Sequence, residues 1–329
     1  MRFTIVTPSY NQLDWLRLCI ASVRDQMATK AETGNLSLSE RQAKAAAEIS
    51  IEHVVQDAGT PGIEEFAREM GAGFYQDGKK VFSAQHSVGG QLSDAYSLAI
   101  YLEKDVGMYD AINKGLRKAS GDICAYLNCD EQYLPGTLRW VADYFLNSPK
   151  VEVLFGAAIV TRGDGSYVCD RRVMVPTRWH TLVSGNLSIF TSSTFFRRKS
   201  VVERGLLFDP QWRVCGDAVW ALQFLKAGLR MEATHRSLSA FAETGVNMSA
   251  ADNPHAAQEA RRLAISAPLV ARALKPVVLL DYRLRRWWSG AYALKAHSYA
   301  VYAEGDTRHR KRFDVAAPSF RWKMGVGAT

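Results

Sequence analysis

The stretch of sequence that decides the fold covers residues 103–138 and reads EKDVGMYDAINKGLRKASGDICAYLNCDEQYLPGTL. Within it, the apolar run at 123–127 predicts a buried strand, which ends abruptly in the polar residues 128–131 (NCDE). Side chains at the carboxyl ends of strands lie where α/β folds bind their ligands. Oxygen ligands in that position suit Mg²⁺ or Mn²⁺. A simple acidic turn is the alternative, because Asp and Asn are common turn residues.

Two earlier strands end in the same kind of residue. Residues 2–6 (RFTIV) predict a strand that TPSYN, residues 7–11, interrupts before an amphipathic helix. Residues 51–55 predict a second strand, which ends in QDAGT at 56–60. We therefore expect three strand ends to converge on one edge of a parallel sheet.

Four separated motifs carry a family resemblance. They are TPSYN (7–11), VVQDAGT (54–60), EKDVGMYDAINKGLRKASGD (103–122) and AYLNCDE (125–131). In this order they resemble a family 2 glycosyltransferase with the GT-A fold, over about residues 1–248. The resemblance implies an α/β fold with a GT-A-type, mostly parallel sheet flanked by helices, which a helical C-terminal extension is expected to follow. It also implies inverting transfer of a sugar from a nucleoside diphosphate sugar.

The expected organisation is a GT-A domain at 1–250, with a nucleotide-binding half at about 1–131 and an acceptor half at about 132–250. Residues 251–329 are expected to form a basic, aromatic-rich helical extension. Two further helices are predicted, a surface helix at 28–49 and another at 92–102.

The resemblance places a set of residues at the donor and its nucleotide: Thr7, Pro8, Tyr10, Asp57, Asp105, Asp110, Asn113, Lys114, Asn128 and Cys129. Asp57 is expected to hydrogen-bond the nucleotide base, with an ordinary turn Asp as the alternative. For Tyr10 the alternative is packing in the core. Asp110 and Lys114 are four residues apart, and the alternative for them is a solvated ion pair that contributes little to stability.

Asp130 is the expected ligand of Mg²⁺ or Mn²⁺, which would offset charge on the leaving diphosphate. Glu131 is a second metal candidate, but Glu in place of Asp departs from the family pattern and leaves its role open. His180 and His235 are further candidates, each with a purely structural histidine as the favoured alternative.

An inverting transfer needs a base that deprotonates the acceptor hydroxyl. The resemblance assigns this role to Asp217, in GDAVWAL at 216–222. A helix N-cap is the alternative, since Asp suits that position equally well. Residues 190–196 (FTSSTFF) lack the His-Gln of close relatives, which puts the acceptor, rather than the donor chemistry, in question.

Charge is distributed unevenly along the chain. Residues 261–329 hold 14 Lys or Arg against 4 Asp or Glu, whereas residues 1–260 hold 27 against 29. The excess of Lys and Arg over Asp and Glu at residues 261–329 points to a polyanionic partner for this part of the chain. At 262–302, six cations lie among apolar runs that include Leu279, Leu280, Leu284, Trp287 and Trp288, which predicts contact with an anionic membrane surface. The six are Arg272, Lys275, Arg283, Arg285, Arg286 and Lys295. Packing of these helices on the domain or on a second subunit is the alternative.

Composition bounds the remaining possibilities. The five cysteines are scattered without a CxxC pair, which favours reduced thiols in a cytoplasmic protein, on the inner face of the cell membrane if the tail binds lipid. No nucleic-acid-binding motif is present, so no nucleic acid partner is expected. A polysaccharide or a lipid-linked glycan is the expected acceptor. A nucleotide-sugar-binding protein without transfer activity is the alternative function.

Overall fold

The computed structural model describes residues 1–27, 48–84, 95–184, 188–244, 254–303 and 305–320. Most of the surface helix predicted at 28–49 lies outside them. The described strands are β1 (Arg2–Ser9), β2 (Ser50–Asp57), β3 (Gly73–Gln76), β4 (Lys79–Phe82), β5 (Tyr96–Leu102), β6 (Ile123–Tyr126), β7 (Glu131–Tyr133), β8 (Val153–Arg162), β9 (Tyr167–Arg171), β10 (Thr194–Arg197), β11 (Met231–Glu243), β12 (His297–Ala303) and β13 (Asp306–Val315). The described helices are α1 (Leu13–Arg24), α2 (Ile63–Glu69), α3 (Met108–Lys118), α4 (Thr137–Asn147), α5 (Arg178–Ser184), α6 (Arg198–Val201), α7 (Gly216–Lys226), α8 (Pro254–Ile265), α9 (Leu269–Ala273) and α10 (Lys275–Trp288).

One large sheet organises the described chain, in the order β4-β3-β5-β2-β1-β6-β10-β8-β11-β7, with β9 beside β8. The run β3-β5-β2-β1-β6 is parallel throughout. Antiparallel pairs join β10 to β6 and to β8. The predicted α/β class, a mostly parallel sheet flanked by helices, is confirmed.

The register brings the predicted strand ends together. Ser9, Asp57 and Leu102 are partners across β1, β2 and β5. Val6 pairs with Tyr126 near the end of β6, so the loop after β6 opens at the same edge. The loops that hold the four motifs therefore share one edge of the sheet.

Residues 96–102 form a strand, so the helix predicted at 92–102 is wrong there. Strand β5 pairs in parallel with β2 and β3. Leu98 and Ile100, two residues apart, both point into the core. Tertiary pairing therefore overrides the helix propensity of a Leu- and Ala-containing run.

The C-terminal helices pack against the GT-A core. Leu263, Ala267 and Ala271 belong to the same buried apolar cluster as Trp220 and Phe224. Packing on the domain, the alternative left open by the sequence, thus holds for one face of these helices. The domain division at residue 250 stays a prediction.

The two-stranded sheet of β12 and β13 was not predicted from sequence. It is held to the domain by Arg310, which donates to Asp25 Oδ1 at 2.8 Å and to the Tyr133 carbonyl at 2.8 Å. The Gln132 side chain bonds both backbone groups of Tyr302, at 2.9 and 2.8 Å. Part of the basic excess of the tail is therefore used inside the protein. No described helix is long and apolar enough to cross a bilayer.

Candidate active site

The loop after β1 is tied to the loop after β2. Asp57 is fully buried, and its carboxylate accepts the N–H groups of Gly59 and Thr60 at 2.9 and 2.7 Å. The Thr60 hydroxyl donates to the same carboxylate at 2.7 Å and accepts the Asn11 N–H at 2.8 Å. This geometry favours the turn role of Asp57 over the predicted contact with a nucleotide base.

The residues predicted at the donor in TPSYN divide between core and surface. Thr7 is fully buried, and its hydroxyl bonds His53 Nε2 at 2.9 Å, so its side chain faces the interior. The Pro8 carbonyl accepts the Cys129 thiol at 3.2 Å, which joins this loop to the loop after β6. Tyr10 is 61% exposed, which excludes the core-packing alternative and leaves its ring free to contact a ligand.

Glu131 is buried, with 2% of its surface exposed. Its Oε2 accepts the Asn128 N–H at 2.7 Å, so the carboxyl braces the loop that presents Asp130. Burial, together with the neighbouring charges of Asp130 and Asp217, raises the pKa of Glu131 well above its usual range. The geometry therefore favours a positioning role for Glu131 over direct metal ligation. The charges of Asp130 and Asp217 both act on Glu131, so the three carboxyl groups lie in one region of the site.

The loop after β6 also contains a side-chain amide oxygen that accepts no hydrogen bond from the described residues. This atom, Asn128 Oδ1, is buried. A buried acceptor without a partner is rare and calls for an explanation such as an ion. It lies two residues before Asp130, and amide and carboxylate oxygens are the ligand types that Mg²⁺ and Mn²⁺ accept. Among the described residues no group of three or more His, Cys, Asp or Glu has metal-binding geometry. The residues present thus fit a metal that takes its remaining ligands from a diphosphate and water.

The second predicted cluster lies in and before α3. Asp105 Oδ1 accepts the Gly107 N–H at 2.9 Å, and burial raises the pKa of Asp105. Asp110 accepts the Val106 N–H at 3.2 Å and pairs with Lys114 at 3.0 Å. The predicted ion pair is therefore present, beside the edge where the motif loops meet.

Asn113, the remaining residue of that predicted cluster, faces away from the edge. It is 1% exposed, and its amide bonds the N–H and carbonyl of Phe208 at 3.0 and 2.8 Å. Both ends of its side chain are thus occupied within the core. The structure favours a packing role for Asn113 over the predicted donor contact.

Asp217 lies in the first turn of α7, and the N-cap of that helix is Cys215, without a side-chain cap. The capping alternative for Asp217 is therefore not observed. Its Oδ1 instead accepts the Tyr126 hydroxyl at 2.8 Å. Burial raises the pKa of Asp217 to about 6, while hydrogen bonds from the Tyr126 and Tyr109 hydroxyls lower it in part. A carboxylate with this pKa is suited to accept a proton near neutral pH.

Two features that the sequence did not reveal hold Asp217 in place. A side chain at Gly216 would meet the Tyr109 ring at 2.4 Å, so glycine lets the helix start against that ring. Glu259 of α8 accepts the N–H groups of Arg213, Val214 and Cys215 at 2.7, 2.9 and 2.8 Å. The carboxylate of Glu259 thus fixes the loop directly before α7 and lies near the positive end of its dipole.

The polar stretch that departs from the family pattern is buried. The Ser192 and Ser193 hydroxyls bond that of Ser239 at 2.9 and 2.7 Å. His180 stacks on Tyr282 with ring centroids 3.5 Å apart, and burial lowers the pKa of His180 to about 4. The stretch belongs to the core near Glu131, and His180 serves packing.

Comparison with known proteins gives one match in sequence and several in fold. Residues 94–206 match the sequence model of the family described as glycosyl transferase family 2. No curated protein matches the sequence. In structure the chain is similar to S. aureus TarS, at 16% identity with a TM-score of 0.50, covering 87% of this chain but 44% of that one. It is similar to S. aureus TarS 1–349 in complex with UDP-GlcNAc, at 15% identity with a TM-score of 0.50, covering 88% of this chain and 73% of that one. A mannosyltransferase from Pyrobaculum calidifontis, in complex with GDP-Man and Mn²⁺, gives 15% identity and a TM-score of 0.48, covering 87% of this chain and 82% of that one.

The family model supports the family 2 resemblance over residues 94–206, less than half of the chain. The similarity to the solved structures concerns the fold, which agrees with the predicted GT-A type. The chain spans less than half of full-length TarS, so the activity of that whole protein does not transfer to it directly.

Proposed function

We propose that this protein transfers a sugar from a nucleoside diphosphate sugar to a hydroxyl of a polysaccharide or lipid-linked glycan, with inversion and with Mg²⁺ or Mn²⁺. The observation that carries the proposal is the set of polar groups at the end of β6. The loop after β6 presents Asp130 together with a buried Asn128 oxygen that accepts no hydrogen bond from the described residues, and such oxygens suit a metal. The charges of Asp130 and Asp217 both act on the Glu131 carboxyl, and burial raises the pKa of Asp217 to about 6.

In the proposed reaction, Asp217 removes the proton of the acceptor hydroxyl as the acceptor oxygen attacks the anomeric carbon. The bond between that carbon and the diphosphate breaks on the opposite face, and the electron pair leaves with the nucleoside diphosphate. Asp130 and Asn128 would hold a divalent metal, which would supply charge stabilisation for that leaving group. Attack opposite the leaving group inverts the anomeric configuration.

The donor site is proposed along the same edge. The exposed ring of Tyr10 offers a face on which a nucleotide base can stack. Asp105 and Asp110 offer acceptors for sugar hydroxyls, and Lys114 offers a positive charge for phosphate. These loops are held in place from the protein core by four buried side chains, those of Thr7, Asp57, Asn113 and Cys129. UDP-GlcNAc, present in one TarS structure, is the first donor to test.

The alternative is a binding protein that does not transfer sugar. The raised pKa of Asp217 favours the enzyme, because carboxyl groups with shifted pKa values, here beside the Tyr126 hydroxyl, are concentrated at functional sites. Titration of UDP with and without Mn²⁺, followed by assay of donor turnover, separates the two. An enzyme binds and consumes a donor, whereas a binding protein only binds it.

The pH dependence of transfer reports on Asp217. Because the base must be ionised, transfer should rise about tenfold per pH unit below about 6 and level off above it. Tyr126→Phe removes a hydrogen bond that favours the ionised form, so the midpoint should move to higher pH. Measuring kcat/KM between acid and neutral pH checks both statements. Tyr144→Phe, which lies away from the site, is the control and should leave the midpoint unchanged. If wild type, Tyr126→Phe and Tyr144→Phe all gave the same pH profile, Asp217 would not be the base.

Glu259 is expected to position Asp217. In Glu259→Ala three backbone N–H groups before α7 lose their acceptor, so kcat should fall about 10- to 100-fold through displacement of the base. The donor dissociation constant should stay within about twofold, because the donor side of the site is untouched. Glu69→Ala, which removes an exposed ion pair, serves as the control. If Glu259→Ala instead lowered the melting temperature and left kcat unchanged at temperatures where the variant is still folded, Glu259 would be purely structural.

A further inference from the structure

Exposed apolar side chains are concentrated on the three C-terminal helices. Of the fourteen large exposed hydrophobic residues in the described chain, nine lie between residues 265 and 288. They are Ile265, Leu269, Val270, Leu274, Val277, Leu280, Leu284, Trp287 and Trp288. Contiguous apolar surface of this kind marks a site of interaction with a protein or a membrane.

Helix α10 separates its two faces cleanly. Val277, Leu280, Leu284 and Trp287 follow one another at intervals of three and four residues, so they form one stripe along the helix. Tyr282 and Arg286 lie on the opposite face and are buried. The stripe therefore faces away from the domain, with Trp287 66% and Trp288 81% exposed at its end.

A cavity of about 380 Å³ lies among the three helices and combines apolar walls with positive charge. Its lining consists of Val183, Arg261, Ala264, Ile265, Arg272 and Lys275. The side chains of Arg261, Arg272 and Lys275 form no hydrogen bond or ion pair with the residues that the structure describes. Because the lining comes from α8, α9 and α10, with Val183 of α5 at its inner wall, the cavity joins the exposed faces of the three helices into one surface.

We propose that the exposed face of α8–α10 docks on an anionic lipid bilayer, with headgroup phosphates received by Arg261, Arg272 and Lys275. Three cations beside an apolar surface are the pattern of a protein that lies in the membrane interface. The indole rings of Trp287 and Trp288 suit the boundary between headgroups and acyl chains. The proposal concerns where the protein works and does not depend on the reaction proposed above.

A second copy of the chain is a less favoured partner for the exposed face of α8–α10. In a two-fold symmetric dimer the same patch meets itself. Contact through this patch would then bring the three cations of one copy close to those of the other, while Asp281, the acid on α10, is already paired with Arg285. Nucleic acid would leave the apolar stripe exposed to water. An anionic bilayer satisfies both the charges and the apolar side chains.

The structure also corrects the sequence-based list of membrane residues. Arg286 is 4% exposed, and its guanidinium donates to the Arg172 carbonyl at 2.8 Å, so it cannot reach a bilayer. Leu279 is half-buried, whereas Leu280 and Leu284 are exposed. The cations that remain at the face are those of the cavity, flanked by Arg283 and Arg285 on either side of the α10 stripe.

Vesicle flotation tests the proposal with the full chain. The protein should float with phosphatidylcholine vesicles containing about a third phosphatidylglycerol at low salt, and dissociate at high salt. It should not float with pure phosphatidylcholine. Arg261→Gln, Arg272→Gln and Lys275→Gln together should weaken partitioning about 100-fold, since each cation near an anionic surface contributes about fivefold. Trp287→Ser with Trp288→Ser should weaken it about tenfold or more.

A charge-matched control is available on other parts of the surface. Lys79→Gln, Lys80→Gln and Lys199→Gln together remove the same charge from exposed positions outside α8–α10 and should change partitioning by less than about threefold. Circular dichroism confirms that every variant is folded. Equal weakening by both triple variants, or flotation of the cavity variant like wild type, would overturn the proposal. So would a stable dimer in solution that does not float.

Discussion

Asp217→Asn should reduce sugar transfer by about 100-fold or more while donor binding stays unchanged. Asparagine keeps the shape of the side chain and can still accept the Tyr126 hydroxyl, but it cannot take a proton from the acceptor. Transfer measured as kcat, together with the donor dissociation constant from calorimetry, separates catalysis from binding. The loss should be largest at neutral pH, where the wild-type carboxyl, with its pKa of about 6, is ionised.

Although Asp217→Asn should reduce activity, we expect it to raise the free energy of unfolding at neutral pH. Burial holds the pKa of Asp217 at about 6 against an ordinary 3.8, so the folded state prefers the protonated carboxyl. This contribution to the free energy of unfolding is fully present below pH 3.8 and is lost as the pH rises through about 6. At neutral pH the neutral asparagine avoids the loss, which is on the order of 3 kcal/mol. A destabilised variant that retains transfer would instead mean that Asp217 serves the fold and not the reaction.

Asp130→Asn should lower turnover by about three orders of magnitude or more and remove its dependence on Mn²⁺. The carboxylate is partly exposed at a strand end, so the melting temperature should change little. Calorimetry should show that Mn²⁺ no longer strengthens binding of a nucleoside diphosphate. Asn128→Ala should weaken the same coupling less, because it removes a neutral ligand rather than a charge.

Asp143→Asn, on α4 and away from the motif loops, is the matched control and should behave as wild type. If Asp130→Asn kept most of its activity and its Mn²⁺ dependence, the metal would lie elsewhere. Glu131→Gln distinguishes bracing from ligation. It should preserve the buried contact with the Asn128 N–H, and with it the metal dependence.

The sequence predicted the fold well because the fold depends on local patterns. Apolar runs that end in polar motifs identify β1, β2 and β6, and the parallel register then brings their ends together. It also located Asp217 at the start of a helix. The helix predicted at 92–102 is wrong because β5 is a strand only through its partners β2 and β3, which lie far away in sequence.

Within the site, sequence identified residue types but not the direction of side chains. Asp57, Asn113 and Glu131 look like ligand-binding residues in their motifs, yet each is buried and bonded to backbone groups. The contact of Glu259 with the loop before α7 spans more than forty residues, and no local pattern signals it. Arg286 likewise looks like a surface cation until its contact with Arg172 is known.

The measurement that tests the central claim most directly is turnover of a panel of nucleoside diphosphate sugars, with Mn²⁺ or with EDTA. We predict that one donor is consumed with release of its nucleoside diphosphate and that EDTA stops the reaction. Turnover should fall by about 100-fold or more in Asp217→Asn and by about three orders of magnitude in Asp130→Asn. With an acceptor present, proton NMR should show a product of inverted anomeric configuration. Metal-dependent binding of a donor without turnover, even with acceptors supplied, would contradict the account and identify a binding protein.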